Sequence, residues 1–81
     1  MKYRLTTEVV NTGLGLKLYR IEALRDIPKL GIKTGYFGGF IESECNLSQE
    51  GDCWVFDNAW VYGDALISGN AQVRNHANEC G

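Results

Sequence analysis

Few side chains in this sequence could carry out chemistry. The chain of 81 residues contains three cysteines, Cys45, Cys53 and Cys80, and a single histidine, His76. A tetrahedral zinc site would need all four to converge, and their spacings are not the usual ones for zinc ligands. An odd number of cysteines without a secretory signal does not indicate a disulfide framework either. The sequence therefore predicts three reduced thiols, no bound metal and no cofactor, with Cys53 packed as a small apolar residue.

Two other segments could in principle hold a ligand. The glycines of Gly35-x-x-Gly38-Gly39 occur without the Lys and the Ser or Thr of a phosphate-binding loop, so tight turns explain them better. The pair Glu42-x-Glu44 could bind a cation, but a solvated edge is the more usual place for such acids. No Ser-His-Asp arrangement for nucleophilic catalysis is visible. We therefore expect a protein without enzymatic activity.

The composition narrows the class of protein further. The chain has 44% apolar residues, 22% charged residues and a net charge of -2, which is typical of one small globular domain. No apolar run approaches the ~20 residues that a membrane-spanning helix needs, and the N-terminal MKYRLTTE turns polar at once. We therefore expect a cytoplasmic protein that does not contact a membrane. The basic residues of the first half could form a nucleotide-binding patch, but the acids among them argue against nucleic acid as a partner.

The elements of the second half follow from a repeat of six residues. From Asn46 the sequence reads NLSQEG, DCWVFD, NAWVYG, DALISG, NAQVRN and HANECG. Position one is Asn or Asp in five of the six blocks, position two is apolar in all six, and position six is Gly in four. Position four is a β-branched apolar residue in four blocks, namely Val55, Val61, Ile67 and Val73. Such a period decides the fold before any other signal is considered.

Each position in the block has a physical role. Positions two and four are two residues apart, so their side chains face the same side of an extended strand and are predicted to point inward. The residues at positions six and one tolerate a positive φ and form tight turns. Every block is therefore predicted to be a short strand followed by a corner, which excludes a helix. Gln49 and Glu79 occupy position four with polar side chains, which predicts irregular or half-solvated end blocks.

The repeat resembles the hexapeptide-repeat family of left-handed β-helices, in which an aliphatic residue is followed four positions later by a small one. The matching pairs are Val55 with Ala59, Val61 with Ala65, Ile67 with Ala71, and Val73 with Ala77. The resemblance implies that three blocks make one triangular coil, so that residues 46–81 form about two coils. Many members of this family use a His in acyl transfer from coenzyme A. Here, however, His76 occupies position one, which is a corner in the other blocks.

The first half is predicted to cap this repeat. Residues 2–10 and 16–24 alternate in polarity around a glycine-containing turn, which indicates a β-hairpin. Residues 1–45 thus form a hairpin and a glycine-rich cap, and residues 46–81 form the solenoid, within one compact domain. The segments LYRIEALRDI, GYFGGFIESE and NLSQEG are also similar to the start of phage- and prophage-associated solenoid proteins. The predicted fold is all-β, an N-terminal hairpin cap on a short left-handed parallel β-helix.

Two surfaces of this predicted fold are candidate binding sites. Large aromatic side chains occupy the outward positions three and five, namely Trp54, Phe56, Trp60 and Tyr62. They form a partner-binding surface unless residues 1–45 fold over them and bury them. The second surface is the open end of the last coil, with Arg74, His76, Asn78 and Glu79. An uncapped solenoid end exposes unpaired backbone groups, so we expect a second copy to close it in a homodimer, or a partner protein to do so.

These features favour a non-enzymatic protein-binding module. The resemblance to phage-associated proteins implies one version of it, a phage-encoded inhibitor that occupies a host defence protein, as an anti-CRISPR protein does. Two alternatives stay open. One is a self-assembling structural solenoid that stacks through its open end, and the other is a relic of a hexapeptide-repeat acyltransferase.

Overall fold

The regular secondary structure of the described residues consists almost entirely of β-strands. The computed structural model describes residues 1–13, 15–74 and 78–80, the last three by their backbone. The strands are β1 (Tyr3–Asn11), β2 (Lys17–Ala23), β3 (Phe37–Ile41), β4 (Trp54–Val55), β5 (Trp60–Tyr62), β6 (Gln72–Val73) and β7 (Asn78–Cys80). The helices in this part of the chain are two three-residue 3-10 turns, Pro28–Leu30 and Glu44–Asn46, and neither could cross a membrane. The predicted all-β class is confirmed.

The predicted hairpin is formed by β1 and β2. The two strands pair in antiparallel register, with Tyr3 opposite Ala23, and β2 pairs in turn with β3. Arg20 on β2 fastens the hairpin to β3. Its Nη1 donates a hydrogen bond to the Gly38 carbonyl oxygen at 2.6 Å, and its guanidinium lies 4.3 Å from the centre of the Phe40 ring. The hairpin and β3 therefore form one continuous sheet.

From β3 onward the strands pair in parallel. The sheet continues from β3 to β5 and β7, and β4 pairs separately with β6. The partners in register include Ile41 with Val61, Leu47 with Ile67, and Val55 with Val73. We call residues 41–60 the first layer and residues 61–74 the second layer, since Ile41, Leu47 and Val55 of the first each pair with an inward residue of the second.

The first block, residues 46–51, is irregular, as predicted, and the period of six is shifted within it. Leu47, and not Gln49, occupies the inward position and pairs with Ile67. The interval from Leu47 to Val55 is eight residues, whereas every later interval between inward residues is six. The longer interval leaves Gln49 free to bond to β1. Its Oε1 accepts hydrogen bonds from the backbone N–H groups of Lys2 at 2.8 Å and Tyr3 at 3.2 Å.

The corners between strands use left-handed backbone conformations, as the turn residues predict. Position six of successive blocks has a positive φ, with 73° at Gly51, 57° at Asp57, 66° at Gly63 and 63° at Gly69. A residue without Cβ adopts this conformation without steric cost, and Asp is among the few others that tolerate it. These corners turn the chain from each short strand into the next.

Gly38 and Gly39 allow the hairpin sheet to meet the first layer at close range. A Cβ atom on Gly38 would lie 2.6 Å from the Val55 carbonyl oxygen, and one on Gly39 would lie 2.7 Å from that of Ala59. Neither distance is compatible with a real side chain, and the atoms in the way belong to the backbone. Two consecutive glycines are therefore required at this junction.

Asn46 joins the two layers from inside. Its side chain is fully buried, and its Oδ1 accepts hydrogen bonds from the backbone N–H groups of Glu42 and Ser43. Its Nδ2 donates to the carbonyl oxygens of Gly63 at 3.2 Å and Ala65 at 2.8 Å. All four hydrogen-bonding capacities of the amide are thus used, which is what a buried polar side chain requires.

Candidate protein-binding surface

Two of the four aromatic residues predicted to face outward are buried. Trp54 is fully buried and its ring contacts that of Tyr3 edge-on, with the ring centres 6.4 Å apart. Phe56 is 5% exposed, because the Arg74 guanidinium lies 4.0 Å over its ring. The outward placement expected for these two residues is therefore corrected, and neither is available to a partner in this structure. The side chain that covers Trp54 is Tyr3, which belongs to the first half of the chain.

Trp60 and Tyr62 lie on β5 and are half-buried. β5 is in the middle of the sheet, where Trp60 pairs with Phe40 on β3 and with Asn78 on β7. The backbone of β5 is thus already paired on both sides, and a partner could reach these aromatic residues through their side chains alone. Their role as a contact surface stays a prediction.

The residues predicted to line the open end lie after β6 and in β7. Arg74 is exposed and follows β6, where its guanidinium donates to the Gln72 Oε1 atom as well as covering Phe56. His76 lies outside the described residues. Asn78 and Glu79 belong to β7, which pairs with β5. The sheet that contains β5 is therefore extended by one further strand, β7.

The backbone of β6 is paired on one side. The carbonyl oxygens of Ala71 and Val73 accept hydrogen bonds from the N–H groups of Trp54 at 3.2 Å and Phe56 at 2.7 Å. In a parallel pair the peptide groups of alternate residues point to opposite sides, so those of Gln72 point away from β4. Among the residues that the structure describes, β6 is an edge strand with β4 as its neighbour.

The same geometry holds at the preceding strand position. The Ile67 N–H donates to the Asn46 carbonyl oxygen at 2.8 Å, and the Ile67 carbonyl accepts from the Ser48 N–H at 2.9 Å. The peptide groups of Leu66 therefore point toward the unpaired side. The Ser68 carbonyl oxygen, by contrast, already accepts a hydrogen bond from the Ala71 N–H at 3.1 Å. We define the open edge as residues 66–68 together with β6.

Apolar side chains accompany the unpaired backbone of the open edge. Leu66 is 60% exposed, Ala71 is exposed and Ile67 is half-buried. None of the three is among the residues predicted to contact a partner, although Ile67 and Ala71 fill repeat positions that are buried elsewhere. The repeat pattern marks Ile67 and Ala71 as inward residues, and an inward residue stays exposed where no layer covers it. Backbone donors and acceptors beside apolar side chains are what a partner strand needs in order to pair.

Within the part of the chain that the structure describes, two groups have perturbed pKa values, and both support local structure. Burial raises the pKa of the Tyr3 phenol, and the nearby Glu44 carboxylate raises it further. Tyr3 therefore stays protonated and donates its hydroxyl hydrogen to the Leu47 carbonyl oxygen. The Thr34 backbone N–H and hydroxyl hold the pKa of Asp26 below its ordinary value. In the described part of the chain, no cluster of three or more His, Cys, Asp or Glu side chains could hold a metal ion.

Comparison with known proteins does not add a family to this description. No protein-family profile matches the chain, and no curated protein sequence matches it. The candidate surface is therefore defined by its geometry.

Proposed function

We propose that the two layers are coils of a short left-handed parallel β-solenoid capped by the β1–β2 hairpin. Support comes from the parallel pairing at three strand positions and from the left-handed residues that turn the chain between them. The resemblance to the hexapeptide-repeat family supplies the handedness of the coil. A solenoid strand with a neighbour on one side only forms an edge, and among the described residues the open edge is of this kind.

We propose further that the chain is a non-enzymatic protein-binding module that acts through the open edge. The observation that carries this proposal is the one-sided pairing of β6, which presents the Gln72 peptide groups, together with the 60% exposed Leu66 at the preceding strand position of the open edge. A strand from a partner satisfies such backbone groups with hydrogen bonds and covers the apolar side chains next to them. No change in the fold of this chain is needed for such binding.

The first partner is a second copy of the chain. A two-fold axis places the same patch of both copies in contact, so two open edges pair with each other in an isologous interface. Leu66 of each copy is then covered. The product is a closed homodimer, which leaves no further edge of this kind for a third copy.

Light scattering on the eluting peak, measured across a dilution series, tests this proposal. We expect a dimer that dissociates on dilution. Leu66→Lys places a charge on the open edge and is expected to give a monomer at every concentration. Leu24→Lys is the matched control, because Leu24 is also exposed, at 40%, but lies at the end of the hairpin. A wild-type monomer throughout, or equal effects of the two variants, would contradict self-pairing.

The resemblance to phage-associated proteins supports a second candidate partner. This partner is a host defence protein, which the chain would bind and inhibit. A host protein bound at the open edge is captured by the wild type and by Leu24→Lys, and is lost with Leu66→Lys. Capture that is lost with Tyr62→Ala instead would assign the contact to the aromatic residues of β5. An interaction that all these variants retain would contradict both locations.

A further inference from the structure

Lys2 is buried in an unusual environment. Its side chain is 1% exposed, although lysine is almost never fully buried without a partner of opposite charge. Its ammonium donates to the Cys53 carbonyl oxygen at 2.8 Å, with the carbonyl oxygens of Gly51 at 3.3 Å and Glu50 at 3.4 Å. The fourth contact of Lys2 Nζ is the Cys53 Sγ atom, at 3.2 Å. An amine and a thiol are thus held against each other inside the protein.

The fold fixes both members of this pair. The backbone N–H of Lys2 is held by the Gln49 side chain, and its carbonyl oxygen accepts from the Leu24 N–H at 2.8 Å. Cys53 is fully buried at position two of its block, and its sulfur lies 3.5 Å from the Ile67 carbonyl oxygen. Neither side chain can turn away without breaking these contacts, so the nitrogen and the sulfur stay within reach of a single bridging atom.

We propose that Lys2 and Cys53 form a modification site, at which one oxygen atom joins Lys2 Nζ to Cys53 Sγ in a covalent N–O–S bridge. The oxidant is dioxygen, a small apolar molecule that enters protein interiors. It has a short path here, because Glu50 and Gly51, which flank the pair, are exposed. The bridge uses the existing contact and does not involve the open edge, so it is independent of the proposed function.

The reaction balances with dioxygen alone. The ammonium carries three hydrogens and the thiol carries one. One of the four stays on the bridging nitrogen, two leave in a water molecule and one leaves as a free proton. New N–O and O–S bonds form, and the O–O bond breaks. Nitrogen and sulfur lose two electrons each, and these reduce one oxygen atom to the bridge and the other to water. An excess of a thiol reductant reverses the link when both the S–O and the N–O bonds are reduced. Four reductant thiols are then oxidised to two disulfides, the amine and the Cys53 thiol are regenerated, and the bridging oxygen leaves as water.

The bridge closes a long loop, because Lys2 and Cys53 are 51 residues apart in the sequence. A crosslink of this span removes conformational freedom from the unfolded chain in the way that a disulfide does. We therefore expect the bridged protein to unfold at a Tm higher by on the order of 10 °C than the reduced protein.

Intact-mass spectrometry of the folded protein, after exposure to air and to a mild peroxide, tests the proposal. The expected product is heavier by about 14 Da, since one oxygen is gained and two hydrogens are lost, and a thiol reductant removes the shift. Peptide mapping should show Lys2 joined to the peptide that contains Cys53. Sulfenic or sulfinic acid would instead add about 16 or 32 Da.

Two variants and one control identify the atoms. Lys2→Met keeps most of the side-chain length but has no amine, and Cys53→Ala supplies the residue that position two has in later blocks, so it preserves the fold. Both are expected to abolish the shift of about 14 Da, whereas Cys45→Ala, at an exposed thiol, is expected to retain it. The proposal is overturned if the wild type shows no such shift while Cys45 is oxidised, or if the shift persists in Cys53→Ala.

Discussion

The first and second layers have the same residue types in the same repeat positions, but they are buried to different depths. Leu47 in the first layer is fully buried, whereas Ile67, its partner in register, is half-buried. Ala59 is fully buried, and Ala71, two blocks later, is exposed. The repeat pattern therefore determines which side chains point inward. How deeply each of these side chains is buried depends on whether a neighbouring layer or the hairpin covers it.

The largest effect is expected where the hairpin meets the first layer. Gly39→Ala places a methyl group against the Ala59 carbonyl oxygen, and the strain should reduce the free energy of unfolding by about 3 kcal/mol or more. Gly13→Ala is the control, since a Cβ there meets nothing within 4 Å and costs only its positive φ. Urea denaturation followed by circular dichroism measures both variants. Equal losses would show that the junction is not tightly packed.

Truncation of the two paired inward residues tests the comparison between layers directly. Leu47→Ala should lower the free energy of unfolding by about 3 kcal/mol. Ile67→Ala should lower it by about half as much, because the Ile67 side chain is partly exposed to water in the folded protein. Both values come from equilibrium urea denaturation of otherwise identical chains. If the two substitutions cost the same under conditions where the protein is a monomer, the difference in burial has no energetic meaning.

A smaller effect is expected at position one of the repeat. Asn46→Ala leaves two backbone N–H groups and two carbonyl oxygens without their buried partner and should cost about 2 kcal/mol. Asn70→Ala, at the same repeat position in the second layer, removes an exposed side chain and should change stability by less than about 0.5 kcal/mol. Thermal unfolding ranks the pair, and the reverse order would contradict the bridging role of Asn46.

The smallest effect concerns pH, at the exposed loop between β2 and β3. Asp26 Oδ1 accepts hydrogen bonds from the Thr34 N–H at 2.8 Å and hydroxyl at 2.9 Å, which lowers its pKa in the folded state. Because the pKa of Asp26 is lower in the folded protein than in the unfolded chain, the ionised carboxylate stabilises the fold at pH values above the unfolded pKa of 3.8. This stability is lost as the pH falls through the pKa of Asp26 in the folded protein. The fall in Tm from pH 7 to pH 3 should therefore be smaller in Asp26→Asn than in the wild type. An unchanged fall would assign the acid sensitivity to other carboxylates.

Local patterns in the sequence predict the features that depend on neighbours in the chain. The hairpin, the left-handed corners and the inward positions Val55, Val61 and Val73 follow from alternation and turn chemistry. The shifted position of Leu47 does not, because a fixed period of six has no place for an interval of eight. A search that allowed intervals of unequal length between aliphatic residues would have found it.

The features that depend on distant residues could not be predicted. Trp54 is buried because Tyr3 lies against it, and no local pattern connects two residues so far apart in the sequence. Lys2 is buried because backbone carbonyl oxygens surround its ammonium, and a carbonyl has no signature in the sequence. A lysine in a sequence is normally taken for a solvated side chain.

The contact between Lys2 and Cys53 also determines the order in which the protein can fold during its synthesis. The start of β1 leaves the ribosome 51 residues ahead of the carbonyl and thiol groups that receive its ammonium. Until then β1 and β2 can form a hairpin, but their apolar face, with Tyr3 and Ile21, has no first layer to cover it. Contacts that span so much sequence are slow to form, since the intervening chain must be ordered first. The nascent hairpin is therefore the stage at which a chaperone would find exposed apolar surface on this protein.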